Sequence, residues 1–315
     1  MRRCRALGSA AGVGEKGASP GSRALGSEAG VGEKGASPGA PLLTATQIRD
    51  LARRHGFRPS KSLGQNFVID PNTIRRIVRL AGVGPEDRVL EVGAGVGALT
   101  LALAERAGAV TAVEIDRGLL PALREVVGDL PNVEVVAGDA MSLDYPSLLG
   151  GLPHRMVSNL PYNIATPLLA RMLADVPEIE ELVVTVQREV GERLVAPPGS
   201  RTYGAISLLV AFHCEASLLG RVPATVFWPV PSVESVLVRL TRRPRPVDVE
   251  PAELMGVVHA AFSQRRKTVR NSLASTLGRP TEEVEAALAS AGLDPGARAE
   301  TLGLEEFARL TEALR

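Results

Sequence analysis

The chain contains 315 residues, of which 45% are apolar, and its formal net charge is +1. That size allows one large or two modest domains with a sizeable core, and the near-neutral charge means that any nucleic-acid site must be a local feature. Two cysteines and four histidines without ligand spacing exclude a disulfide framework and a metal site, and the longest apolar run, 206–212, is too short to span a membrane. We therefore expect a metal-free cytoplasmic protein with no membrane contact.

The first 40 residues repeat one segment, because residues 5–22 recur as residues 23–40 with two differences. The segment is rich in Gly, Ala and Ser and has few side chains to bury, which predicts a disordered tail over residues 1–40. No apolar stretch follows Arg2 and Arg3, so a secretory signal is not expected. A transit peptide and a start codon assigned too far upstream are both compatible with the repeat.

An α/β domain is expected over residues 41–243, and it begins with an amphipathic segment. Residues 44–54 have apolar side chains at helical spacing, with Thr44 or Thr46 as the N-cap. The chain therefore enters its first domain through a helix.

The segment 88–106 has the order strand, glycine turn, helix that opens a nucleotide-binding βαβ unit. Without Cβ atoms, Gly93, Gly95 and Gly97 let a ligand lie against the backbone, and the start of the helix offers free N–H groups to a carboxylate. A second strand ends at Glu114, 21 residues after Gly93, a spacing that suits hydrogen bonds to two ribose hydroxyls. The segment predicts a cofactor site.

The glycines also fit the relaxed dinucleotide fingerprint, so by themselves they do not exclude NAD. A third strand at 132–136 is followed by Asp139, whose carboxylate can accept from an adenine amino group, and a fourth strand ends at Asn159. A glycine loop, Glu114, Asp139 and an Asn-Leu-Pro-Tyr turn at successive strand ends form the layout of S-adenosylmethionine-dependent amino-methyltransferases. Ligands bind at the carboxyl ends of strands in an open α/β sheet. The complete layout favours S-adenosyl-L-methionine over NAD.

The turn Asn159-Leu160-Pro161-Tyr162 is the most informative feature of the chain. The amide oxygen of Asn159 and the carbonyl of Leu160 can both accept from the exocyclic amino group of a flipped-out adenine, which frees the nitrogen lone pair for attack on a methyl group. Pro161 fixes φ and has no competing N–H, and Tyr162 offers a flat face for the base. An isolated turn of this kind could be purely structural, but the cofactor pattern upstream favours catalysis.

The C-terminal part has a different pattern. Further strands are predicted near 182–186 and 235–240, and Pro244-Arg245-Pro246 marks a linker. Beyond the linker, helical periodicity recurs between Gly and Pro residues, which predicts a small all-helical domain over residues 247–315. The predicted helices cover residues 251–262, 265–275, 281–291 and 304–314.

A local cluster of cations lies in this helical region, formed by Arg265, Arg266, Lys267 and Arg270. On a helix, Arg266 and Arg270 would share one face, with Lys267 beside them. Such a face could simply be exposed to solvent without binding RNA. Contact with RNA phosphates is the sharper interpretation, because an RNA substrate must be held through its backbone.

Several segments resemble the KsgA/RsmA family of ribosomal RNA adenine dimethyltransferases, from about residue 45 to the C-terminus. The run Ser263–Thr268 is the most discriminating, because Erm-type enzymes, which methylate large-subunit rRNA, are not expected to carry it. The similar segments are Lys61–Phe67, Glu91–Thr100, Val113–Arg117, Asn159–Thr166, Val186–Val190, Phe227–Val236 and Ala261–Ser272.

The resemblance implies a Rossmann-like class I methyltransferase domain followed by a helical domain. Val68 and Ala94 stand where the family usually has Leu and Pro, and both are mild apolar changes. Beside the glycine loop with Gly95, the cofactor contacts that it implies are Asn66, Val68, Gly93, Glu114, Asp139 and Asn159.

The leading interpretation is an enzyme that dimethylates N6 of two adjacent adenosines in the 3′-terminal hairpin loop of 16S rRNA. The substrate would be the small ribosomal subunit or its precursor, and the enzyme would be a monomer. Tyr162 would stack below the target base and Phe227 would close its other face. Two alternatives remain: an assembly or transcription factor that has lost catalysis on this fold, and a DNA adenine methyltransferase, which would use the same turn. The resemblance also makes an assembly checkpoint role plausible beside catalysis.

Overall fold

The computed structural model describes residues 41–264 and 266–315. Its strands are β1 Phe67–Val68, β2 Arg88–Val92, β3 Ala109–Glu114, β4 Val133–Ala137, β5 His154–Asn159, β6 Ile179–Gln187, β7 Cys214–Val222, β8 Phe227–Trp228 and β9 Ser235–Arg242. Its helices are α1 Ala45–His55, α2 Pro71–Ala81, α3 Ala98–Ala104, α4 Leu120–Val127, α5 Tyr145–Leu149, α6 Ala165–Asp175, α7 Arg188–Leu194, α8 Ala205–His213, α9 Pro251–Phe262, α10 Val269–Leu277, α11 Thr281–Ser290 and α12 Leu304–Ala313.

The main sheet has seven strands in the order β4-β3-β2-β5-β6-β9-β7. The five neighbouring strands β4, β3, β2, β5 and β6 run parallel, whereas β9 is antiparallel to both β6 and β7. From β2 the chain proceeds outward to β3 and β4, then returns to place β5 on the other side of β2. This reversal creates a crevice at the carboxyl ends of β2 and β5, where open α/β sheets bind their ligands. The α/β fold predicted from the sequence is confirmed.

Helices cover both faces of the sheet, so its central strands are apolar on both sides. Val89 and Val157 belong to the buried cluster on one face, and their neighbours Leu90 and Met156 belong to the cluster on the other. This alternation follows from the two-residue repeat of a strand. The central strands therefore fix the crevice on a rigid, doubly covered sheet.

A third buried cluster joins the C-terminal helices to α8. Leu208 and Phe212 of α8 pack with Leu254 of α9 and Phe307 of α12, and all four are at most 1% exposed. The segment 244–246, where a linker is predicted, lies between β9 and α9. The helical region is therefore packed on α8.

Capping residues explain where two of the helices begin. Thr44 caps α1 in a reciprocal box with Gln47, in which the Thr44 N–H donates to Gln47 Oε1 at 2.8 Å. The helix predicted over 265–275 begins later, at Val269, because Thr268 is its N-cap and accepts from the N–H of Asn271. Arg266 and Lys267 therefore lie in the turn before α10.

Candidate active site

A cleft of about 840 Å³ opens at the carboxyl ends of β2, β3 and β5. We call it the strand-end cleft. Of the residues predicted to bind a cofactor, it is lined by Asn66, Gly93, Gly95, Glu114, Asp139 and Asn159.

Val68 is the predicted cofactor residue that does not line this cleft. It is buried in β1, where it pairs with Phe227 of β8, and its neighbour Phe67 lines the cleft instead. The structure therefore gives Val68 a packing position behind the cleft wall.

The glycine loop is fixed by conformation and by close neighbours. Gly93 and Gly95 have φ angles of 76° and 59°, which side chains rarely adopt. A Cβ atom on Gly95 would lie 2.9 Å from the ring of Phe67, and one on Gly93 would lie 3.0 Å from Cδ of Pro161. The loop thus fits between β1 and the turn after β5.

Glu114 holds this loop in place from the end of β3. Its carboxylate accepts from the N–H of Gly95 at 2.7 Å and from the N–H of Asp116 at 2.9 Å. Burial raises the pKa of Glu114, while these backbone hydrogen bonds oppose the rise. Each carboxylate oxygen has a second lone pair, so the group can still accept from ligand hydroxyls.

Glu91, to which the sequence assigned no role, lies beneath the loop on β2. It is 1% exposed and accepts a hydrogen bond from Oγ1 of Thr100 at 2.6 Å, which ties β2 to α3. Burial raises the pKa of Glu91 to about 8. A glutamate inside an otherwise apolar strand was the signal in the sequence for such a position.

The segment before β1 covers the strand-end cleft and is tied to two strand ends. Gln65 donates through Nε2 to Asp116 at 2.9 Å, beyond the end of β3. The carbonyl of Asn66 accepts from Nδ2 of Asn159 at 2.8 Å, at the end of β5. Sequence reasoning missed Gln65 and Asp116, because their contact joins residues far apart in the chain.

Asn159 presents an unpaired acceptor. Because its Nδ2 donates to the carbonyl of Asn66, the hydrogen bond also determines which side of the amide carries the oxygen. That oxygen, Oδ1, is buried and has no hydrogen-bond partner among the described residues. A buried, unsatisfied acceptor costs about 1–3 kcal/mol, which a ligand N–H would recover.

Tyr162 lies in a second pocket of about 1,020 Å³ beside the strand-end cleft. We call this the proline pocket, because Pro229 and Pro231 line it together with Tyr162. The Tyr162 hydroxyl forms a 2.6 Å hydrogen bond with Oγ of Ser235, which anchors the ring. Gly64, Gln65, Asn66 and Asn163 line both pockets, so the two spaces adjoin.

Phe227 does not have the position predicted for it. Its side chain is 0% exposed and lines neither pocket, because β8 pairs with β1 and turns the ring into the core. In this structure the ring has no free face for a base. The residues near Phe227 that do line the proline pocket belong to the segment Pro229–Val233.

The prediction that these cations share one face of a helix is wrong, because α10 begins only at Val269. Arg266 and Lys267 are exposed in the turn before α10, and Arg270 forms an ion pair with Glu285 of α11. The fourth predicted cation, Arg265, lies outside the described residues. A single helical stripe is therefore replaced by an exposed turn and a paired arginine.

The fold adds two arginines to that turn. Arg201 and Arg298 join Arg266 and Lys267 around a pocket of about 910 Å³, which we call the cationic pocket. Glu300 also lines it and pairs with Arg298 at 3.6 Å. The sequence could not show this grouping, because its members come from three separate segments.

Comparison with known proteins identifies the family. A sequence model of the family described as Ribosomal RNA adenine dimethylase matches residues 56–315. The chain belongs to this family. It is an enzyme that transfers methyl groups to adenine in ribosomal RNA.

Similar curated proteins carry the name Ribosomal RNA small subunit methyltransferase A. The one from Kineococcus radiotolerans is 51% identical over 274 residues, which cover 85% of this chain and 90% of that protein. The one from Moorella thermoacetica is 48% identical over 276 residues, which cover 84% of this chain and 96% of that protein. The similarity extends over both the sheet and the C-terminal helices of the dimethylase.

Solved structures share the fold. The 23S rRNA methyltransferase ErmE is 33% identical with a TM-score of 0.60, and the match covers 79% of this chain and 99% of that one. A dimethyladenosine transferase from Plasmodium falciparum has a TM-score of 0.65 at 23% identity, with 76% and 94% of the two chains covered. The methyltransferase fold of the dimethylase is thus confirmed.

Two further properties concern the described ranges 41–264 and 266–315. No helix there is long and apolar enough to cross a membrane. No group of three or more His, Cys, Asp and Glu residues in these ranges is placed to hold a metal ion.

Proposed function

We propose that this dimethylase converts two adjacent adenosines in the 3′-terminal hairpin loop of 16S rRNA to N6,N6-dimethyladenosine, with S-adenosyl-L-methionine as the methyl donor. The names of the most similar curated relatives support the small subunit as the target. The substrate would be the small subunit or its precursor in the cytoplasm, and a monomer would suffice, because one chain supplies both adjoining pockets.

The strand-end cleft fits the proposed donor. Glu114 can accept from the ribose hydroxyls, and Asp139 can accept from the adenine amino group at the edge of the cleft. Gly93 and Gly95 keep their side of the cleft free of side chains. When bound there, S-adenosyl-L-methionine supplies an electrophilic sulfonium methyl group.

The buried, unpaired Oδ1 of Asn159 is the observation that carries the proposal. With the target adenine in the proline pocket, Oδ1 and the carbonyl of Leu160 accept from its N6 amino group, and the nitrogen lone pair points at the methyl group. S-adenosyl-L-methionine held in the strand-end cleft would supply the methyl group, and the electron pair of its C–S bond would stay on sulfur as N6 bonds to the methyl carbon. The amine then releases a proton to water. Positioning supplies most of the rate, because the chain offers no base at this turn.

Tyr162 holds the base from one side. Its ring is fixed by the hydroxyl contact with Ser235, so the stacking surface is in place before the RNA arrives. Phe227 can close the other side only if the β1–β8 ribbon opens, because its ring is fully buried. Pro229 and Val230 line the proline pocket without such an opening.

The cationic pocket supports RNA binding. Arg201, Arg266 and Lys267 have no ion-pair partner among the described residues, so their charges are available to phosphates. We infer that the helical region over residues 247–315 presents the small subunit to the active site. A checkpoint role in subunit assembly would use the same contact.

Labelled methyl transfer tests this function. Undermethylated small subunits, incubated with the dimethylase and S-adenosyl-L-methionine, are expected to take up label in 16S rRNA. Large subunits and duplex DNA serve as parallel substrates. Label in large-subunit rRNA or in DNA, with none in 16S rRNA, would overturn the proposed target.

A further inference from the structure

A third surface combines cations with an aromatic ring next to the proline pocket. It is an open pocket of about 900 Å³, which we call the tryptophan pocket. No carboxylate lines it. Its lining residues are Arg49, Ala52, Arg53, Gly56, Phe57, Arg58 and Trp228.

Helix α1 supplies two of the cations on one face. Arg49 and Arg53 are four residues apart and both are exposed. Gly56 ends the helix with φ of 68°, and the turn brings Arg58 to the same pocket. Arg53 pairs with Asp50, whereas Arg49 and Arg58 form no ion pair with any residue in the described ranges.

The indole of Trp228 is half-buried and is supported from behind by other rings. The ring centroids of Trp228 and Phe67 are 6.1 Å apart, and those of Phe67 and Phe57 are 6.2 Å apart. The β1–β8 pairing places Phe67 opposite Trp228. The indole is therefore a preorganised surface, since its supporting rings restrict its movement.

The tryptophan pocket neighbours the active site along the chain and across the β1–β8 pair. Trp228 directly precedes Pro229–Val233, which line the proline pocket. Phe67, which pairs with Trp228, lines the strand-end cleft, and a Cβ atom on Gly95 would lie 2.9 Å from its ring. A nucleotide strand with one base in the proline pocket can therefore extend over the tryptophan pocket.

We propose that Trp228 stacks a base of the rRNA strand that flanks the target adenosine, and that Arg49 and Arg58 bind the phosphates of that nucleotide. The inference rests on the proposed function, because it takes the strand entering the proline pocket to be RNA. Stacking platforms between cations are how proteins hold single-stranded nucleic acid. The pocket is thus a second RNA contact, separate from the cationic pocket in the C-terminal region.

Trp228 is the single tryptophan of the chain, so its fluorescence reports on this pocket alone. An unmethylated synthetic RNA of the 3′-terminal small-subunit hairpin is expected to quench it, and a blunt RNA duplex of equal length is expected not to. Trp228→Ala should weaken hairpin binding roughly 5- to 150-fold, whereas Trp228→Phe, which keeps a stacking face, should remain within about threefold. Unchanged donor affinity in both variants shows that the fold is intact.

The phosphate contacts have their own measurement. Replacing Arg49 and Arg58 by Gln should reduce the slope of log affinity against log salt by about 0.7 per residue. Arg106→Gln is the matched control. Arg106 is exposed between α3 and the amino end of β3, whereas the strand-end cleft lies at the carboxyl ends of the strands. It should leave the slope unchanged.

Three results would overturn the inference while leaving the proposed function standing, provided that the wild type still methylates small subunits. One is hairpin binding without quenching, and another is wild-type affinity in Trp228→Ala. The third is a change in Trp228 fluorescence without RNA when residues 1–40 are removed, which would show that the chain itself occupies the pocket. Quenching by the hairpin without any methylation of small subunits would instead remove the proposed function.

Discussion

At the residue scale, the proposed methyl transfer depends on one oxygen atom. Asn159 donates to the carbonyl of Asn66 and leaves Oδ1 buried and unpaired. A fold retains such an unsatisfied atom at a cost, so its place at the strand-end cleft points to a ligand donor. The sequence predicted the acceptor, but only the structure shows what fixes its direction.

Asn159→Ala removes this acceptor. Turnover should fall about 10²–10³-fold, the usual effect of losing one preorganised hydrogen-bonding group. Donor affinity, measured by calorimetry, should fall by a smaller factor, because the variant also loses the hydrogen bond from Asn159 to Asn66 at the cleft. Asn72→Ala, at an exposed asparagine of α2, is the matched control. Methylation by Asn159→Ala within threefold of wild type would contradict the assigned role.

Glu91 makes stability depend on pH. Its pKa of about 8 in the folded protein exceeds its ordinary value of 4.5, so the folded state binds the proton more tightly than the unfolded state. The stabilisation is complete below pH 4.5 and is lost as the pH rises through 8. Between pH 5 and 8 this loss should be on the order of 3 kcal/mol.

Denaturant unfolding of Glu91→Gln at pH 5 and pH 8 tests this dependence. The variant keeps an acceptor for Thr100 but cannot ionise, so its stability should fall less than that of the wild type over this range. Glu105→Gln, at an exposed position after α3, should behave like the wild type. Parallel curves for the wild type and Glu91→Gln would show that Glu91 does not titrate in this range.

At the element scale, local pattern predicted β2 to β6 and β9 but not β1, β7 and β8. Strands β2, β3 and β5 are mostly buried, and they end at or directly before Gly93, Glu114 and Asn159. These motif residues allowed the strand ends to be placed from the sequence. The two-residue strands β1 and β8 exist only because they pair across 160 residues of chain. Their pairing buries Phe227, which no local pattern could show.

The turn before α10 illustrates a competing signal. Charged residues at helical spacing predicted a helix from residue 265. Thr268 is instead the N-cap, so the cations before it are not part of the helix and cannot share a face with Arg270. Arg270 then meets Glu285 of the next helix. The cap was visible in the sequence, whereas the ion pair was not.

The cationic pocket gives a ranked expectation for salt dependence. Replacing both Arg266 and Lys267 by Ala should reduce the slope of log affinity for small-subunit RNA against log salt by about 1.4, at roughly 0.7 per contact. Arg201→Ala should reduce it by about 0.7. Arg270→Ala should have a smaller effect, because Glu285 already balances its charge. Equal slopes for all variants and wild type would mean that the pocket is only solvated.

At the scale of the whole molecule, α8 joins the helical region to the sheet. Its Leu208 and Phe212 pack with α9 and α12, whereas its Leu209 and Val210 belong to the buried cluster of the sheet. The sequence indicated a linker at 244–246 but not this shared surface, because contacts of α8 with later helices are long-range. The helical region, which we propose presents the substrate, is therefore attached to the sheet through α8.

Removing residues 244–315 should expose Leu208 and Phe212, and the fragment 1–243 should aggregate or melt several degrees below the full chain. Deleting residues 1–40 is the control, because that repeat has few apolar side chains and should change neither melting temperature nor methylation. A fragment 1–243 that melts like the full chain would show that the cluster contributes little to stability.

The most direct test of the whole account is mass mapping of the modified positions. Undermethylated small subunits are incubated with the dimethylase and S-adenosyl-L-methionine, and wild type and Asn159→Ala are compared. The account predicts N6,N6-dimethyladenosine at two adjacent positions of the 3′-terminal hairpin loop with the wild type, and almost none with Asn159→Ala. Methyl groups at another atom or another site, or equal modification by both proteins, would contradict it.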